Sequence, residues 1–252
     1  MNFSRCSGAL LPSVVPIVVP IVVTIVLGLF AASDASAEWT GSGELGLVFA
    51  RGNTDTETLN TELKLQYTRE RWTNASRLSY LRSESDGDLE ADRFVFDNKT
   101  DYSLSDVSYI IGVGRFDRDE FSSFEFQTSL AIGYGRKLID TERQAFSVEI
   151  GPGVRYSEIR DTGESETDLI ARGGADYRLQ ISETAELTNR SLIESGSSNT
   201  FLENESALTV AINDSLALKT GFLVRHNTEV EPGSEKTDYL TTVNLVYSFP
   251  KQ

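Results

Sequence analysis

Residues that build metal, redox and disulfide sites are scarce in this chain. Its 252 residues include one cysteine, Cys6, and one histidine, His226. A single cysteine excludes a disulfide framework and a cysteine-based metal cage, and a single histidine excludes the usual multi-histidine metal sites. We therefore predict no cofactor and no metal or catalytic centre of these kinds.

Positive charge is also in short supply. The 23 lysine and arginine residues stand against 38 aspartate and glutamate residues, which gives a net charge of −15 with the histidine neutral. Proteins that bind DNA or RNA need clustered lysine and arginine to neutralise phosphates. The composition therefore excludes nucleic acid as a partner.

One long stretch near the N-terminus, 10–32, is almost free of charge; it follows Arg5 and precedes the small residues of 35–37. This layout is typical of a secretory signal peptide. A permanent transmembrane helix is the alternative, because the stretch is long enough to cross a bilayer. Three prolines in its first half disfavour that helix, since each removes a backbone hydrogen bond. We predict a signal peptide over 1–37, cleaved after Ala37 together with Cys6, and a mature domain over 38–252.

The mature chain alternates apolar and polar residues with period two, the pattern of a strand whose two faces differ. In 59–67, for example, Leu59, Leu63, Leu65 and Tyr67 share one face, and the opposite face is polar. Each segment is about as long as a tilted membrane-spanning strand. We predict twelve strands, at 42–51, 57–68, 72–82, 93–104, 107–116, 124–137, 145–157, 167–179, 185–194, 201–212, 216–226 and 238–249.

The connections between these strands mostly alternate between short turns and longer charged loops, such as 83–92. An even number of antiparallel strands with short turns at one end and longer loops at the other is the plan of an outer-membrane barrel. The sequence therefore predicts an all-β fold, a single transmembrane antiparallel β-barrel of about 12 strands.

A soluble barrel would alternate with the same period, but with its charge outside. Two features favour the membrane barrel. Lysine and arginine are nearly absent from the apolar face, with Arg115 and Arg136 as exceptions at predicted strand ends. Glycines are assigned to the polar face, where small residues suit a crowded interior: Gly112, Gly114, Gly133, Gly135, Gly151 and Gly153.

Aromatic residues give a third argument, because they lie at strand ends next to the short turns. An aromatic girdle at a membrane interface occupies such positions, whereas a packed core would hold its rings near the strand centres. The predicted girdle consists of Tyr67, Trp72, Tyr102, Tyr109, Tyr134, Phe146, Tyr177 and Tyr247.

Charged side chains of both signs fall on the inward face. A twelve-stranded barrel encloses an interior between those of filled eight-stranded barrels and open sixteen-stranded porins. The sequence leaves two readings open, an ion-pair network that fills the lumen and a narrow polar path through it. The predicted network comprises Glu62, Lys64, Arg77, Asp97, Lys99, Glu125, Glu149, Arg155, Arg172 and Asp176.

Acidic residues cluster in the predicted loop 83–92, where Asp86, Asp88, Glu90 and Asp92 recur at every second position. The spacing lacks the glycine and closing glutamate of an EF-hand loop. A solvated loop is the simplest interpretation. The functional alternative is weak contact with Mg²⁺ or Ca²⁺ that bridges the loop to lipopolysaccharide.

Two strands place polar residues on the face that should meet lipid. They are Asn189 and Ser191 in the strand at 185–194, and Asn204 and Ser206 in the strand at 201–212. Our hypothesis is that the 185–212 side contacts another protein or subunit. The alternative is that these strands are shifted, so that the four residues lie among the lipid headgroups.

Several short motifs occur in order along the mature chain: Trp39-Thr-Gly41, Gly52-Asn-Thr-Asp-Thr56, Gly114-Arg-Phe-Asp117, Gly133-Tyr-Gly135 and Gly151-Pro-Gly-Val-Arg155. Together they resemble the domain of unknown function 481 family, also described as putative salt-induced outer-membrane proteins. The resemblance implies an outer-membrane barrel of Gram-negative bacteria and brings no catalytic residues with it.

The last predicted strand resembles the signal by which the barrel assembly machinery recognises outer-membrane barrels. Its apolar face carries Val243, Leu245, Tyr247 and Phe249. The usual signal ends at the final aromatic residue, whereas here Pro250-Lys-Gln252 follows it. The assembly machinery is therefore a predicted partner, beside outer-membrane lipid and lipopolysaccharide.

The function expected from these features is that of an envelope protein of the bacterial outer membrane with a structural or narrow-channel role, linked by the family label to salt or osmotic stress. A porin-like transporter of small solutes is the first alternative. The second is an outer-membrane hydrolase that would use His226, although no serine-rich motif flanks it. We expect a protein without enzymatic activity.

Overall fold

The computed structural model describes residues 38–50, 56–230 and 235–249. The predicted signal peptide and its cleavage site before Glu38 lie outside these residues and stay a prediction. No helix in the described part of the chain is long and apolar enough to cross a membrane. The strands found there are β1 (Glu38–Ala50), β2 (Thr56–Arg69), β3 (Trp72–Ser85), β4 (Asp88–Ser103), β5 (Ser108–Asp119), β6 (Phe124–Asp140), β7 (Gln144–Ile159), β8 (Ser165–Gln180), β9 (Ala185–Ser195), β10 (Thr200–Ala211), β11 (Leu216–Asn227) and β12 (Thr237–Phe249).

These strands form one closed antiparallel barrel in which each strand pairs with the next and β12 returns to β1. The closing ladder sets Gly41 opposite Phe249 and Leu45 opposite Leu245. Closure pairs backbone groups that would otherwise lie at free sheet edges. The predicted fold class, a twelve-stranded antiparallel barrel, is confirmed.

The two ends of the barrel differ modestly in the length of their connections. The end that carries Glu38 and Phe249, here called the turn end, holds connections of two to four residues, which follow β2, β4, β6, β8 and β10. The opposite end, here called the loop end, holds connections of two to nine residues, which follow the odd-numbered strands. The longest connection, after β11, lies at the loop end, and so does the two-residue turn after β3.

The prediction of an acidic loop over 83–92 is wrong. Strands β3 and β4 continue to a tight turn at Asp86 and Gly87, whose φ angles are 52° and 88°, the positive values that a two-residue hairpin turn requires. Asp88, Glu90 and Asp92 therefore belong to β4. Leu89 and Ala91 alternate with Asp88, Glu90 and Asp92 in the period of a strand, and the density of negative charge concealed this alternation.

The distribution of polarity is the inverse of that in a soluble barrel. Ile150 on the outer surface is 70% exposed and Leu169 is 82% exposed, whereas Arg155 and Glu203 inside are 3% and 5% exposed. A soluble barrel buries its apolar side chains and exposes its charges. The alternative of a soluble barrel is therefore inconsistent with the fold.

Aromatic rings lie on the outer surface near the turn end, at most of the predicted positions. Trp72 packs on Tyr102 with ring centres 4.8 Å apart, and Phe146 packs on Tyr177 at 6.2 Å. Tyr109 is the exception: it is buried inside the barrel, where its hydroxyl donates to Glu149 Oε1 at 3.0 Å. Its assignment to the girdle is wrong.

A second group of outer rings, which the sequence analysis missed, lies toward the loop end. Phe116 contacts both Phe94, at 6.2 Å between ring centres, and Phe126, at 5.9 Å. Phe126 in turn contacts Tyr156 at 5.9 Å. The barrel thus carries aromatic residues toward both ends of its apolar surface.

The glycines are divided between the two faces. Gly133, Gly135, Gly151 and Gly153 face inward as predicted, and a Cβ on Gly151 would lie 2.0 Å from the carbonyl oxygen of Ile132. Gly112 and Gly114 face outward instead: on β5 the buried positions are Tyr109, Ile111 and Arg115. The predictions that Gly112 and Gly114 face inward and that Arg115 faces outward are therefore wrong, because they place the alternation on β5 one residue out of register.

The close approach at Gly151 predicts a strong effect of a single methyl group. Gly151→Ala would push β7 away from the β6 backbone, and we expect a loss of about 1–3 kcal/mol in the free energy of unfolding, as for other overpacked sites. Gly112→Ala is the matched control, because no atom lies within 4 Å of the added Cβ. Urea unfolding of both variants in lipid vesicles tests the difference, and equal midpoints would contradict it.

Candidate functional site

Glu203 on β10 is the centre of the charges inside the barrel. Its carboxylate accepts two hydrogen bonds from Arg115, at 2.9 Å from Nη2 and 3.3 Å from Nη1. Three further guanidinium groups lie within 4 Å of it, those of Arg190 at 3.6 Å, Arg93 at 3.7 Å and Arg77 at 3.9 Å. One buried carboxylate thus faces four arginines.

These contacts cross the lumen. In the ring of twelve strands, β10 is five strands from β5, which carries Arg115, and five strands in the other direction from β3, which carries Arg77. Glu203 therefore meets arginines that project from the far wall on both sides. The arrangement spans the cross-section of the barrel, nearer to its loop end.

Aspartates on β4 and β5 neutralise the other sides of the same arginines. Arg77 Nη2 lies 2.6 Å from Asp97 Oδ2, and Arg93 Nη2 lies 2.5 Å from Asp117 Oδ2. Arg115 also donates to Asp117, at 3.1 Å. Each cation in the centre therefore contacts more than one carboxylate.

A second cluster surrounds Lys219 on β11. Its ammonium group lies 3.1 Å from Glu44, 3.2 Å from Glu205 and 3.6 Å from Glu62. Glu44 also accepts a hydrogen bond from Lys64 at 3.1 Å. Since Glu62 and Glu205 also contact Arg77, at 3.3 and 3.4 Å, the two clusters form one network.

Such a network is stable only if it is complete. Transfer of a charge from water into a protein interior costs several kcal/mol, which opposite charges offset only when the geometry is good and the remaining polar atoms are bonded. Removal of one partner leaves an uncompensated buried charge. The mutual pairing of these residues therefore offsets the cost of burying their charges.

The structure brings most of the predicted lumen residues together. Glu62, Lys64, Arg77 and Asp97 belong to the central network. Others form pairs nearby: Lys99 with Glu149, Arg172 with Glu194 at 3.4 Å, and Arg155 with Asp168 at 3.4 Å. Asp176 lies opposite Arg190 in the strand register.

Glu125 is the exception among the predicted lumen residues. It lies at the loop end next to an irregularity in the β6–β7 pairing, and its carboxylate is 2.6 Å from Arg160 and 3.5 Å from Arg118. Its contacts are therefore with residues of the rim. The assignment of Glu125 to the lumen network is wrong.

Sequence reasoning missed the residues at the centre of the network. Arg115 was assigned to the outer face, although strict alternation from Tyr109 through Ile111 places it inside. Glu203 and Glu205 flank Asn204, whose outward assignment already placed both of them inward. The alternation shows which charged residues point inward, but it does not show which of them meet across the lumen.

Two cavities adjoin Arg115. One, of about 80 Å³, is lined by charged residues of the network, among them Glu62 and Lys219. The other, of about 20 Å³, lies between Arg115 and Arg155 and also touches Ser129. The smaller cavity is the size of one water molecule.

Metal binding receives no geometric support within the described residues. They contain no group of three or more histidine, cysteine, aspartate or glutamate side chains placed to hold a metal ion. Asp92 of the acidic hairpin accepts hydrogen bonds from Arg82 at 3.3 Å and Tyr80 at 3.4 Å. Cation contact at Asp86, Asp88 and Glu90 stays a prediction.

The outward polar residues of β9 and β10 form a closed hydrogen-bonded cluster. Asn189 Nδ2 donates to Asn204 Oδ1 at 3.1 Å and to Ser206 at 2.8 Å, and Asn204 Nδ2 donates to Asn189 Oδ1 at 3.3 Å and to Ser191 at 2.7 Å. All four amide N–H groups are thus satisfied. Contact with another protein is not needed to explain these residues, and it stays a prediction.

The same arrangement recurs six strands away, on β3 and β4. Asn74 donates to Asn98 at 3.2 Å and to Thr100 at 2.7 Å, and Asn98 donates to Asn74 at 3.3 Å and to Ser76 at 2.8 Å. A buried or lipid-facing amide is costly only when its hydrogen bonds are unmade. Both clusters therefore let polar residues occupy an otherwise apolar surface.

The network predicts a large difference between buried and exposed charges. Glu203→Gln leaves four arginines without their shared carboxylate, and we expect a loss of about 3–5 kcal/mol in the free energy of unfolding. Lys137→Gln, in the exposed pair with Asp140, should lose less than about 1 kcal/mol. Urea titration of both variants in vesicles measures the two values; a Glu203 variant as stable as the Lys137 variant would contradict the prediction.

One relative by sequence and two solved structures are similar to this chain. The uncharacterized protein YdiY of Escherichia coli strain K12 is 29% identical over 222 residues, which cover 86% of this chain and 85% of YdiY. The NanC porin is similar in structure with a TM-score of 0.50 and 11% identity, over 84% of this chain and 99% of the porin. The COG4313 outer-membrane channel from Pseudomonas putida F1 gives a TM-score of 0.49 at 11% identity, over 86% of this chain and 97% of the channel.

The family resemblance noted in the sequence is also confirmed. The model of the family described as "Protein of unknown function, DUF481" matches residues 43–249. This range extends from β1 to the last residue of β12. The chain therefore belongs to the DUF481 family.

Proposed function

We propose that the protein is an outer-membrane β-barrel of the bacterial envelope whose lumen is closed in its resting form, with a structural role. The observation that carries this proposal is the meeting of Glu203 with arginines from both sides of the barrel. A barrel with a filled lumen does not conduct, so its role in the envelope is that of a stable body embedded in the membrane.

Membrane insertion is supported by the spacing of the outer aromatic residues. Phe94 and Tyr102 lie eight residues apart on the outer face of β4, a distance of about 26 Å along a strand. With the usual strand tilt this becomes about 20 Å along the barrel axis, close to the apolar band of about 25 Å in outer-membrane barrels. Leu63, Leu65, Leu130 and Ile132 lie on the exposed surface of the barrel.

The orientation follows from the two ends. Outer-membrane barrels place their shorter turns in the periplasm and their longer loops outside the cell. Connections at the turn end have two to four residues, and the longest connection, of nine residues, lies at the loop end. We therefore assign the turn end, with both barrel termini, to the periplasm. The acidic hairpin tip at 84–92 then lies among the lipopolysaccharide headgroups. The strand β12, which carries Val243, Leu245, Tyr247 and Phe249 and closes the barrel, is the part that the assembly machinery would recognise.

A narrow channel is the second candidate, and the cavity of about 80 Å³ favours it. The cavity is lined by both acidic and basic groups, so rearrangement of the network would create a polar path. A wide porin is disfavoured because Glu203 and Arg115 occupy the middle of the lumen.

The hydrolase alternative receives no geometric support. The ring of His226 makes its hydrogen bond through Nδ1, to Thr237 Oγ1 at 2.8 Å, and it lies on the outer face near the loop end. We propose that the protein has no enzymatic activity. The link to salt or osmotic stress rests on the family resemblance alone.

Membrane fractionation tests the location. We expect the mature protein to stay in the outer-membrane fraction after a high-salt wash, to require detergent for release, and to migrate differently on gels before and after heating, because an apolar surface holds it in lipid. Release by salt alone would contradict the proposal.

Conductance tests the closed lumen. In planar bilayers we expect the wild-type barrel to give no ion steps, because the network fills its centre. The double variant Glu203→Ala and Arg115→Ala removes one charge of each sign and should give discrete steps. The double variant Lys137→Ala and Asp140→Ala removes the same charges outside the lumen and should be silent. Large steps from the wild type would overturn the proposal.

A further inference from the structure

The seam between β1 and β12 is the least paired part of the barrel wall. Within the described residues its ladder has five residue pairs and extends along β1 from Gly41 to Leu45. Every other pair of neighbouring strands there is joined by at least ten. Both strands continue toward the loop end, where residues 46–50 pair with β2 alone and residues 237–244 pair with β11 alone.

Side-chain exposure changes where the ladder ends. On the paired part of β1, Glu44 is buried inside and Leu45 is exposed outside, as expected for the two faces of a wall. Beyond the ladder, Leu47 on the outer face is 53% exposed and Val48 on the inner face is 52% exposed. Both faces of β1 are therefore accessible at this level.

A side-chain bridge crosses the seam one residue beyond the ladder. Asn60 Nδ2, on β2, donates to Asn244 Oδ1, on β12, at 3.1 Å. This bond, here called the amide bridge, passes over Gly46 of β1, where a Cβ would clash with the same oxygen. Asn244 Nδ2 also donates to Glu44 at 3.2 Å, and Glu44 accepts from Lys219 at 3.1 Å. Side chains therefore join β1 to β12 where the backbone ladder stops.

The larger cavity, of about 80 Å³, lies on the inner side of the unpaired segment. Leu240, Thr242 and Asn244 of β12 line it, and its other walls include charged residues of the network. A polar cavity of this size has room for water. Backbone that is not in a ladder occurs at membrane depth only where protein or a water-filled space satisfies it. The cavity provides such a space at the seam.

The unpaired segment lies at the depth of the apolar band. On the outer face of β12, Tyr239 stacks on Phe222 toward the loop end with ring centres 6.3 Å apart, and Tyr247 lies toward the turn end. Residues 240–244 come between these two rings, and Val243 among them is 56% exposed on the outer face. The unpaired seam therefore has lipid on its outer side and a polar cavity on its inner side.

We propose that the seam between β1 and β12 is a lateral opening from the larger cavity to the lipid bilayer, limited toward the turn end by the amide bridge. The molecule that fits it is a membrane amphiphile, with its polar head toward Thr242 and its apolar chain along Leu47 and Val243. The Glu203 network still blocks the path along the barrel axis, so the opening does not make the barrel conduct. This proposal rests on the membrane insertion and the closed lumen proposed above.

Labelling from the lipid phase tests the opening. Thr242→Cys, combined with Cys6→Ser, places the only thiol of the chain on the cavity side of the seam. A long-chain N-alkylmaleimide is dissolved in the vesicle lipid, and glutathione in the water consumes any reagent that leaves it. Gln127→Cys is the matched control, because it also lines a cavity but lies on β6, which is paired on both sides. We expect Thr242→Cys to react at least about tenfold faster, since the reagent reaches position 127 only if paired strands separate.

Two further variants test the amide bridge, each in the Thr242→Cys background. Asn60→Ala removes the bond over Gly46 and should accelerate labelling about fivefold, the effect of losing one hydrogen bond between neutral groups. Asn74→Ala removes an amide from the outer cluster on β3 and β4 and should leave the rate unchanged. Heat-modifiable migration shows that each variant is folded.

The outcomes separate this proposal from those on which it rests. Val243→Cys, on the outer face at the same level, reports contact with lipid, and its failure to react would overturn the membrane insertion and the opening together. Equal rates at positions 242 and 127, with Val243→Cys labelled, would overturn the opening and leave the barrel in the membrane. An unchanged rate with Asn60→Ala would overturn the role of the amide bridge. Faster labelling at position 242, increased further by Asn60→Ala, supports the opening, and a silent wild-type bilayer supports the closed lumen beside it.

Discussion

Closure of the sheet on itself is the constraint from which the other features follow. Because β12 pairs with β1, the twelve strands form a ring and every second side chain must point into the lumen. With lipid outside, the inward set is the one that can be polar. Polar groups enclosed there lose their water, so each charge needs an opposite charge within reach. In this chain, the four arginines around Glu203 meet that requirement.

The outer surface shows the same requirement in another form. Side chains there are mostly apolar, and the asparagines that interrupt them occur in two closed clusters in which both amide N–H groups of each asparagine are bonded. Since the two clusters lie six strands apart and have the same hydrogen bonds, the arrangement forms locally, within one hairpin. It depends on two cross-strand pairs in each hairpin and on nothing outside the chain.

Period-two alternation was enough to predict the number of strands, their order and the barrel class, because in a strand the direction of a side chain follows from its position alone. It failed where other features concealed the signal: at the tip of β3 and β4, where negative charge is dense, and on β5, where two glycines lie between Tyr109 and Arg115. Tyr109 and Arg115 were misplaced for that second reason. The sequence by itself therefore determined the fold class and the inward charge of most lumen residues. Only the tertiary structure decided that Glu203 meets Arg115 and Arg77 across the lumen, because such contacts depend on which strands face each other in the closed ring.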